Sequence, residues 1–264
     1  MQATGPTLDE ALLSRIEDAS LNASAPAQQF WVDGWIVRTS PGKARRARCV
    51  NAVAAGRLPL DRKLALAAAL FSEAGLPMVV RLTPFTQPDA LDAQLAQRGW
   101  PRLDETRVMV RPTLTDLSPA ADLPPPPGCV WVRLDGAAYA EAVGALRGSP
   151  PGQRRAHAER LATSPVRYEG HALRRLDDGE LLACGQFARE AERVGLYDVF
   201  TREGERGRGL ASLLCTRLLG LAALQGAQLA YLQAEATNDA AHRVYRRLGF
   251  ADQYRYHYRQ APAG

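Results

Sequence analysis

The sequence predicts a mixed α/β protein in which one layered unit, a central sheet flanked by helices, is written twice in tandem. Three observations lead there. Short apolar runs alternate with longer segments of helical periodicity, as layered folds require. The same helix–strand–helix–strand series recurs in both halves of the 264 residues. Between the halves stands SPAADLPPPPGCV, residues 118–130. Its run of prolines at 124–127 fits neither a helix nor a central strand and reads as an extended connection. The expected division is a first domain at 1–120, a Pro-rich linker at 121–128 and a second domain at 129–264.

In the first half, DRKLALAAALFSEAG (61–75) has helical spacing and LPMVVRL (76–82) reads as a strand. DALDAQLAQRG (89–99) is a second helix and DETRVMVR (104–111) a second strand. The second half opens with the strand CVWVRL at 129–134. Helices follow at 136–147 and 151–163, then strands at 166–175, 180–188 and 194–201. From 207 to 225 the residues Leu210, Leu213, Leu214, Leu218 and Leu221 recur on one helical face, and Gly226 ends that helix. QLAYLQAE is a strand, 238–248 a short helix stopped by Gly249, and FADQYRYHYR the last strand. Superposing 61–111 on 212–259 places Gly75 opposite Gly226 and Gly99 opposite Gly249, with one residue of slippage.

Composition narrows the function. With 46% apolar and 23% charged residues the chain is an ordinary globular protein, and no apolar run is long enough to span a membrane. The N-terminus lacks the basic start and apolar stretch of a secretory signal. Cys49, Cys129, Cys184 and Cys215 are scattered and form no metal-ligand spacing, so the expectation is buried thiols in the cytoplasm and no metal site. A net charge of +5 suits an anionic ligand.

The stretch that asks for chemistry is DVFTREGERGRGLASLL, 198–214, where a strand runs through Gly204, Gly207 and Gly209 into a helix. Successive amides in such a turn form a concave anion nest, and the helix N-terminus adds unpaired donors. Glycine lets backbone approach a phosphate closely. Arg206 and Arg208 add charge. The loop is not a P-loop, because Leu210 and Ala211 stand where Lys and Ser/Thr belong, and Ser212 spoils a dinucleotide fingerprint.

The pattern Arg206-x-x-Gly209-x-Ala211 resembles the acyl-CoA pyrophosphate loop of the GNAT superfamily of N-acetyltransferases. The preceding strand, the long helix, the strand AYLQAE and the segment Asn238-x-x-Ala241 … Tyr245-x-x-x-Gly249-Phe250 are similar to that family in the same order. The resemblance covers about 128–260 and implies two tandem GNAT-like domains with mostly antiparallel sheets. It implies acetyl-CoA as acyl donor, with the backbone of Phe200 and Thr201 at the acetyl and pantetheine end. The amides of Gly207, Arg208, Gly209, Leu210 and Ala211 would hold the pyrophosphate, with Arg206 at the loop entrance. Asn238 would meet the pantetheine arm, and Tyr245 would protonate the departing thiolate, for which a phenol is a suitable donor.

Asp198 and Glu235 are candidates for the general base, each of which also fits a structural role, and the resemblance adds water or backbone carbonyls, so the base stays open; His242 and His257 read as bystanders. The basic run of Lys43, Arg45, Arg46 and Arg48 lacks interleaved aromatic residues, so no nucleic acid is expected there. A solvated strand face or a wall of the substrate cleft fits it better. In the superposition Leu58 replaces Gly209, Leu60 replaces Ala211, Leu95 replaces Tyr245 and Pro88 replaces Asn238. The first half thus resembles the degenerate half of tandem GNAT proteins. The expectation is an acetyl-CoA-dependent N-acetyltransferase for a small-molecule amine, a monomer or homodimer, without a membrane partner. The alternative is a non-catalytic acyl-CoA-binding sensor or scaffold.

Overall fold

A computed structural model describes residues 8–262; the expectation about a leader at the N-terminus bears partly on residues 1–7, outside the described ones. The first half runs α1 (Glu10–Ala23), β1 (Gln29–Val32), β2 (Trp35–Arg38), β3 (Val50–Ala52), α2 (Leu60–Glu73), β4 (Val79–Leu82), α3 (Leu91–Gln97) and β5 (Arg102–Arg111). The second runs β6 (Cys129–Leu134), α4 (Gly136–Leu146), α5 (Pro151–Thr163), β7 (Tyr168–Arg175), β8 (Leu181–Glu190) and β9 (Arg193–Thr201). It ends with α6 (Leu210–Leu224), β10 (Leu229–Glu235), α7 (Asp239–Arg247) and β11 (Ala251–Gln260). The sequence periodicity locates most of these elements to within a few residues, although it marks none of α1, β1, β2 and β3.

The two halves do not keep separate sheets. All strands among the described residues join one 11-stranded sheet in the order β1-β2-β3-β4-β11-β5-β10-β9-β8-β7-β6. The last strand of each half has crossed into the other. β11 lies between β4 and β5, with His257 opposite Leu82 and Tyr254 opposite Val108. β5 lies between β11 and β10, with Met109 opposite Leu232. The repeat seen in the sequence becomes a reciprocal exchange.

Burial follows the two-residue strand period. On β11, Tyr254, Tyr256 and Tyr258 are all buried while Arg255 between them is exposed. They join Ile16 and Ala19 of α1 and Val108 and Val110 of β5 in one apolar cluster that spans the halves. Inside that seam Arg81 pairs with Glu17, Tyr254 Oη donates to Glu17 at 2.7 Å, and the Arg81 guanidinium lies 3.8 Å from the Tyr256 ring centroid. Burial raises the Glu17 pKa, but Arg81 and Tyr254 outweigh it and hold the carboxyl low. Deleting one member of such a pair strands a buried charge and costs about 3–5 kcal/mol.

The segment after β5 is docked rather than loose. Trp131 Nε1 donates to Leu123 O at 3.0 Å, and Arg217 of α6 donates to Ala121 O. A Cβ at Gly220 of α6 would stand 2.4 Å from Ala121 N, so glycine there lets the segment close on the helix. Cys49, Cys184 and Cys215 are buried free thiols and Cys129 is partly exposed. No described helix is long and apolar enough to cross a membrane.

Candidate functional site

The site begins as a defect in β9. Residues 193–196 of β9 pair in parallel with 229–232 of β10, from Arg193 opposite Leu229 to Leu196 opposite Leu232. Beyond that point the strands part: Gln233, Ala234 and Glu235 pair only with β5, and Tyr197 onward pairs only with β8. The cause is local. Asp198 and Val199 together face the single residue Gly185 of β8, and Asp198 has φ 51°, so β9 carries a bulge that bends it away from β10. Gly185 permits this, because a Cβ there would lie 3.0 Å from Leu218 and 3.3 Å from Val199. The bulged carbonyl of Asp198 accepts a 2.8 Å hydrogen bond from the buried Tyr139 hydroxyl.

The parting strands open a cavity of about 610 Å³, closed on one side by the 3-10 turn Arg45–Ala47 and on another by α4 and α5. Asp198, Phe200, Glu235, Asn238 and Tyr245 all line it. The basic run forms the turn and one wall of the cavity, so the strand-face reading of that run is corrected. Thr201 and the loop 206–211 lie outside the cavity, where β9 ends.

The loop has the features of an anion nest. Gly207 and Gly209 have φ 79° and 78°, a left-handed backbone that other residues adopt only with strain, and a Cβ at either would meet nothing within 4 Å. Gly209 caps α6 without a side-chain acceptor. The backbone amides of residues 207–212 make no hydrogen bond within the described protein, and the first helical bond of this corner is Leu213 N to Gly209 O at 3.0 Å. Unpaired amides at a helix start, with open space before them, fit a phosphate or another anion. Arg208 is drawn onto the Glu205 carboxylate, which Arg175 also holds at 3.2 Å. Arg206 reaches back to Thr201 O at 3.4 Å and lies 5.5 Å from the Phe200 ring centroid.

The two carboxylates differ sharply. Asp198 accepts from Arg147 at 2.9 Å and from Gln186 at 2.9 Å, with His157 Nε2 at 3.4 Å. Burial pushes its pKa up, but Arg147, His157 and Arg160 outweigh that and hold it well below the usual carboxylate range. Glu235 is exposed on the cavity rim, and its carboxylate has no hydrogen-bond or ion-pair partner among the described residues.

Tyr245 sits on α7, half-buried, with its ring edge-on to Phe250 at 6.0 Å between centroids. Its hydroxyl makes no hydrogen bond within the described protein. Burial, helped by Cys215, raises its pKa, so the phenol is fully protonated at neutral pH. Asn238 caps α7 by accepting from Ala241 N at 3.1 Å, which leaves its amide NH₂ free at the cavity. His242 is buried and bonds the Glu235 carbonyl at 2.9 Å, and His257 bonds Asp92 at 3.1 Å. Both are structural.

Sequence reasoning missed Arg147, His157 and Gln233, which also line the cavity. Arg147 and His157 lie in no motif, and Gln233 lies in AYLQAE without being one of the positions singled out there. They reach the site only through the packing of α4 and α5 and the far end of β10.

Residues 166–250 match the model of the acetyltransferase (GNAT) family. No curated protein sequence matches the chain. Among solved structures, a GCN5-related N-acetyltransferase from Kribbella flavida is 20% identical, with 95% of this chain and 96% of that one superposed at a TM-score of 0.66. A tandem GNAT protein from the clavulanic acid biosynthesis pathway is 19% identical over 79% of this chain and 72% of that one, with a TM-score of 0.61. A GCN5-related N-acetyltransferase from Sphaerobacter thermophilus is 20% identical over 76% and 67%, at 0.57. At such identities the likeness is one of fold. The bulged strand and the glycine corner both fall in the second half of the chain, within the residues 166–250 that match the GNAT acetyltransferase family model.

Proposed function

We propose that the protein transfers an acetyl group from acetyl-CoA directly to an amine. The observation that carries this is the joint occurrence of parted β9 and β10 with the free amides of residues 207–212 at the end of β9. A long ligand with a phosphate end and a reactive end fits that arrangement. The amides hold its pyrophosphate with Arg206 beside them, and the exposed backbone edge of β9 at Phe200 and Thr201 receives its amide-bearing arm. Asn238 contributes its free NH₂ from the opposite wall.

Bound acetyl-CoA supplies the activated acyl carbon, on which the amine nitrogen forms the new C–N bond as the C–S bond breaks. Glu235, the carboxylate without a cation, takes the first proton from the incoming ammonium. Tyr245 donates its phenolic proton to the departing sulfur and regains one, through solvent, from the nitrogen. The nitrogen thus loses two protons, of which one ends on sulfur and one in solvent. Asp198 positions Arg147 and takes no proton, because that ion pair stabilises its charged form.

Calorimetric titration with acetyl-CoA, followed by a thiol-release assay across a panel of amines, tests this reading. Binding at one site per chain with release of thiol is the expected result. Binding without release from any amine would favour the acyl-CoA sensor instead, and no binding would sink both.

A further inference from the structure

We infer that the amine acceptor is a small molecule carrying an anionic group, a carboxylate or a phosphate, and that Arg46 grips that group side-on. This deepens the acetyl-transfer reading and rests on it. The cavity lining is cationic beyond its own needs. Arg45 is paired with Asp104 and Arg147 with Asp198, each at 2.9 Å. Lys43, Arg46, Arg48 and Arg160 also line the cavity, and none has a carboxylate partner among the described residues. Among those residues Glu235 is the one unpaired carboxylate facing them.

Arg46 is the most specific of these. Its Nη1 donates to Gln233 Oε1 at 2.7 Å and to Tyr256 Oη at 3.2 Å, which fixes the guanidinium at the parting of β10 from β9. Its Nε is buried without an acceptor, and Nη2 makes no hydrogen bond within the described protein. Nε and Nη2 are the two parallel donors on one edge of the guanidinium, the pair that matches two oxygens of a carboxylate or phosphate. Buried donors of this kind are normally satisfied.

The neighbouring rings extend the anchor. Arg46 lies 5.9 Å from the Tyr197 ring centroid, Tyr197 packs on Tyr168 at 5.5 Å, and Arg160 lies 5.7 Å from Tyr168. Two guanidiniums thus share one aromatic wall. A cavity of about 610 Å³ suits a small molecule. Cations in this lining together with a free carboxylate at Glu235 suit an amine that also carries a negative charge.

The test uses matched pairs, phosphoethanolamine against ethanolamine and β-alanine against β-alaninamide. Each is measured by thiol release with acetyl-CoA and by calorimetric titration of the full chain. The anionic member of at least one pair should turn over or bind about 10- to 100-fold better, the worth of a charge-assisted contact. Arg46→Gln should erase that preference while acetyl-CoA affinity holds; Arg160→Gln, which spares the Gln233 contact, should reduce it if Arg46→Gln fails to fold. Neutral members that match their anionic counterparts, or a panel in which no anionic amine binds, would overturn the inference. Absent acetyl-CoA binding would sink the acetyl-transfer reading instead, and the amine titrations are scored separately from it.

Discussion

The helix entry at residues 56–60 and the one at 207–211 occupy equivalent places in the two halves, and they handle the same problem differently. In the second half the corner amides have no acceptor within the described protein. In the first half the carboxylate of Asp33, from the turn between β1 and β2, sits in the corner. It accepts from Arg57 N at 2.8 Å and Leu58 N at 2.8 Å, with Lys63 Nζ at 3.7 Å. A Cβ on Gly56, which has φ 73°, would lie 2.3 Å from Asp33 Oδ2, so glycine persists here for a different reason. The lesson is that this half did not simply lose its nest when Leu58 and Leu60 replaced small residues. Its nest is filled by an anion of the chain's own.

The contrast between the halves is sharpest at the residue pair Tyr245 and Leu95, and the largest effect is expected there. Leu95 is fully buried, whereas Tyr245 meets the cavity. If Tyr245 is the proton donor, Tyr245→Phe should lower turnover about 10²–10⁴-fold with acetyl-CoA affinity unchanged. Near-normal turnover would make it a packing residue like its counterpart.

Next in size is Gly209→Val. A β-branched residue at φ 78° is strained, and its side chain enters the space before the free amides. Acetyl-CoA affinity should fall by at least about 100-fold, since several charge-assisted bonds of roughly 1.5–3 kcal/mol each are lost. Calorimetry on folded mutant decides; unchanged affinity would remove the loop from the site. The same titration should give one acetyl-CoA per wild-type chain, and a stoichiometry of two would mean that Asp33 does not close the first nest.

The smallest effect belongs to Asp33→Asn. Its pKa is lowered in the fold, by the Leu58 and Arg57 amides first. The stability it contributes is therefore full above the ordinary carboxylate pKa of about 3.9, and is lost as the pH falls through the lower folded value. The mutant should melt modestly below wild type at neutral pH, with the gap closing under acid. A gap that is constant with pH would mean the carboxylate charge does not matter at this corner.

Most of the elements were legible because local periodicity and glycine stops specify them, as Gly75, Gly99, Gly226 and Gly249 do here. The glycine corner was legible because its parts are close in sequence, whereas Tyr245, which lines the cavity, was singled out only through the family resemblance. What stayed hidden is long-range. Nothing in DETRVMVR or FADQYRYHYR distinguishes a strand kept at home from one lent to the other half, since both need the same alternation. Asp33 lies 24 residues before Arg57, whose amide it accepts, and Gln233 lies 187 residues beyond Arg46. The fate of Asp198 was equally unreadable, because Arg147 and His157 reach it from helices that carry no motif.

The exchange of β5 and β11 has a consequence for the covalent chain itself. Each half lends the other an interior strand, so the seam does not depend on the peptide bonds at 124–127 to stay closed. A protease cut among those prolines would yield two polypeptides that remain clasped, each threaded through the other's sheet. Neither would be a free-standing product, because removal of its partner would take away one of its own inner strands and bare the edges beside it. The gene could be divided at those prolines, and the product would still have to assemble as one body.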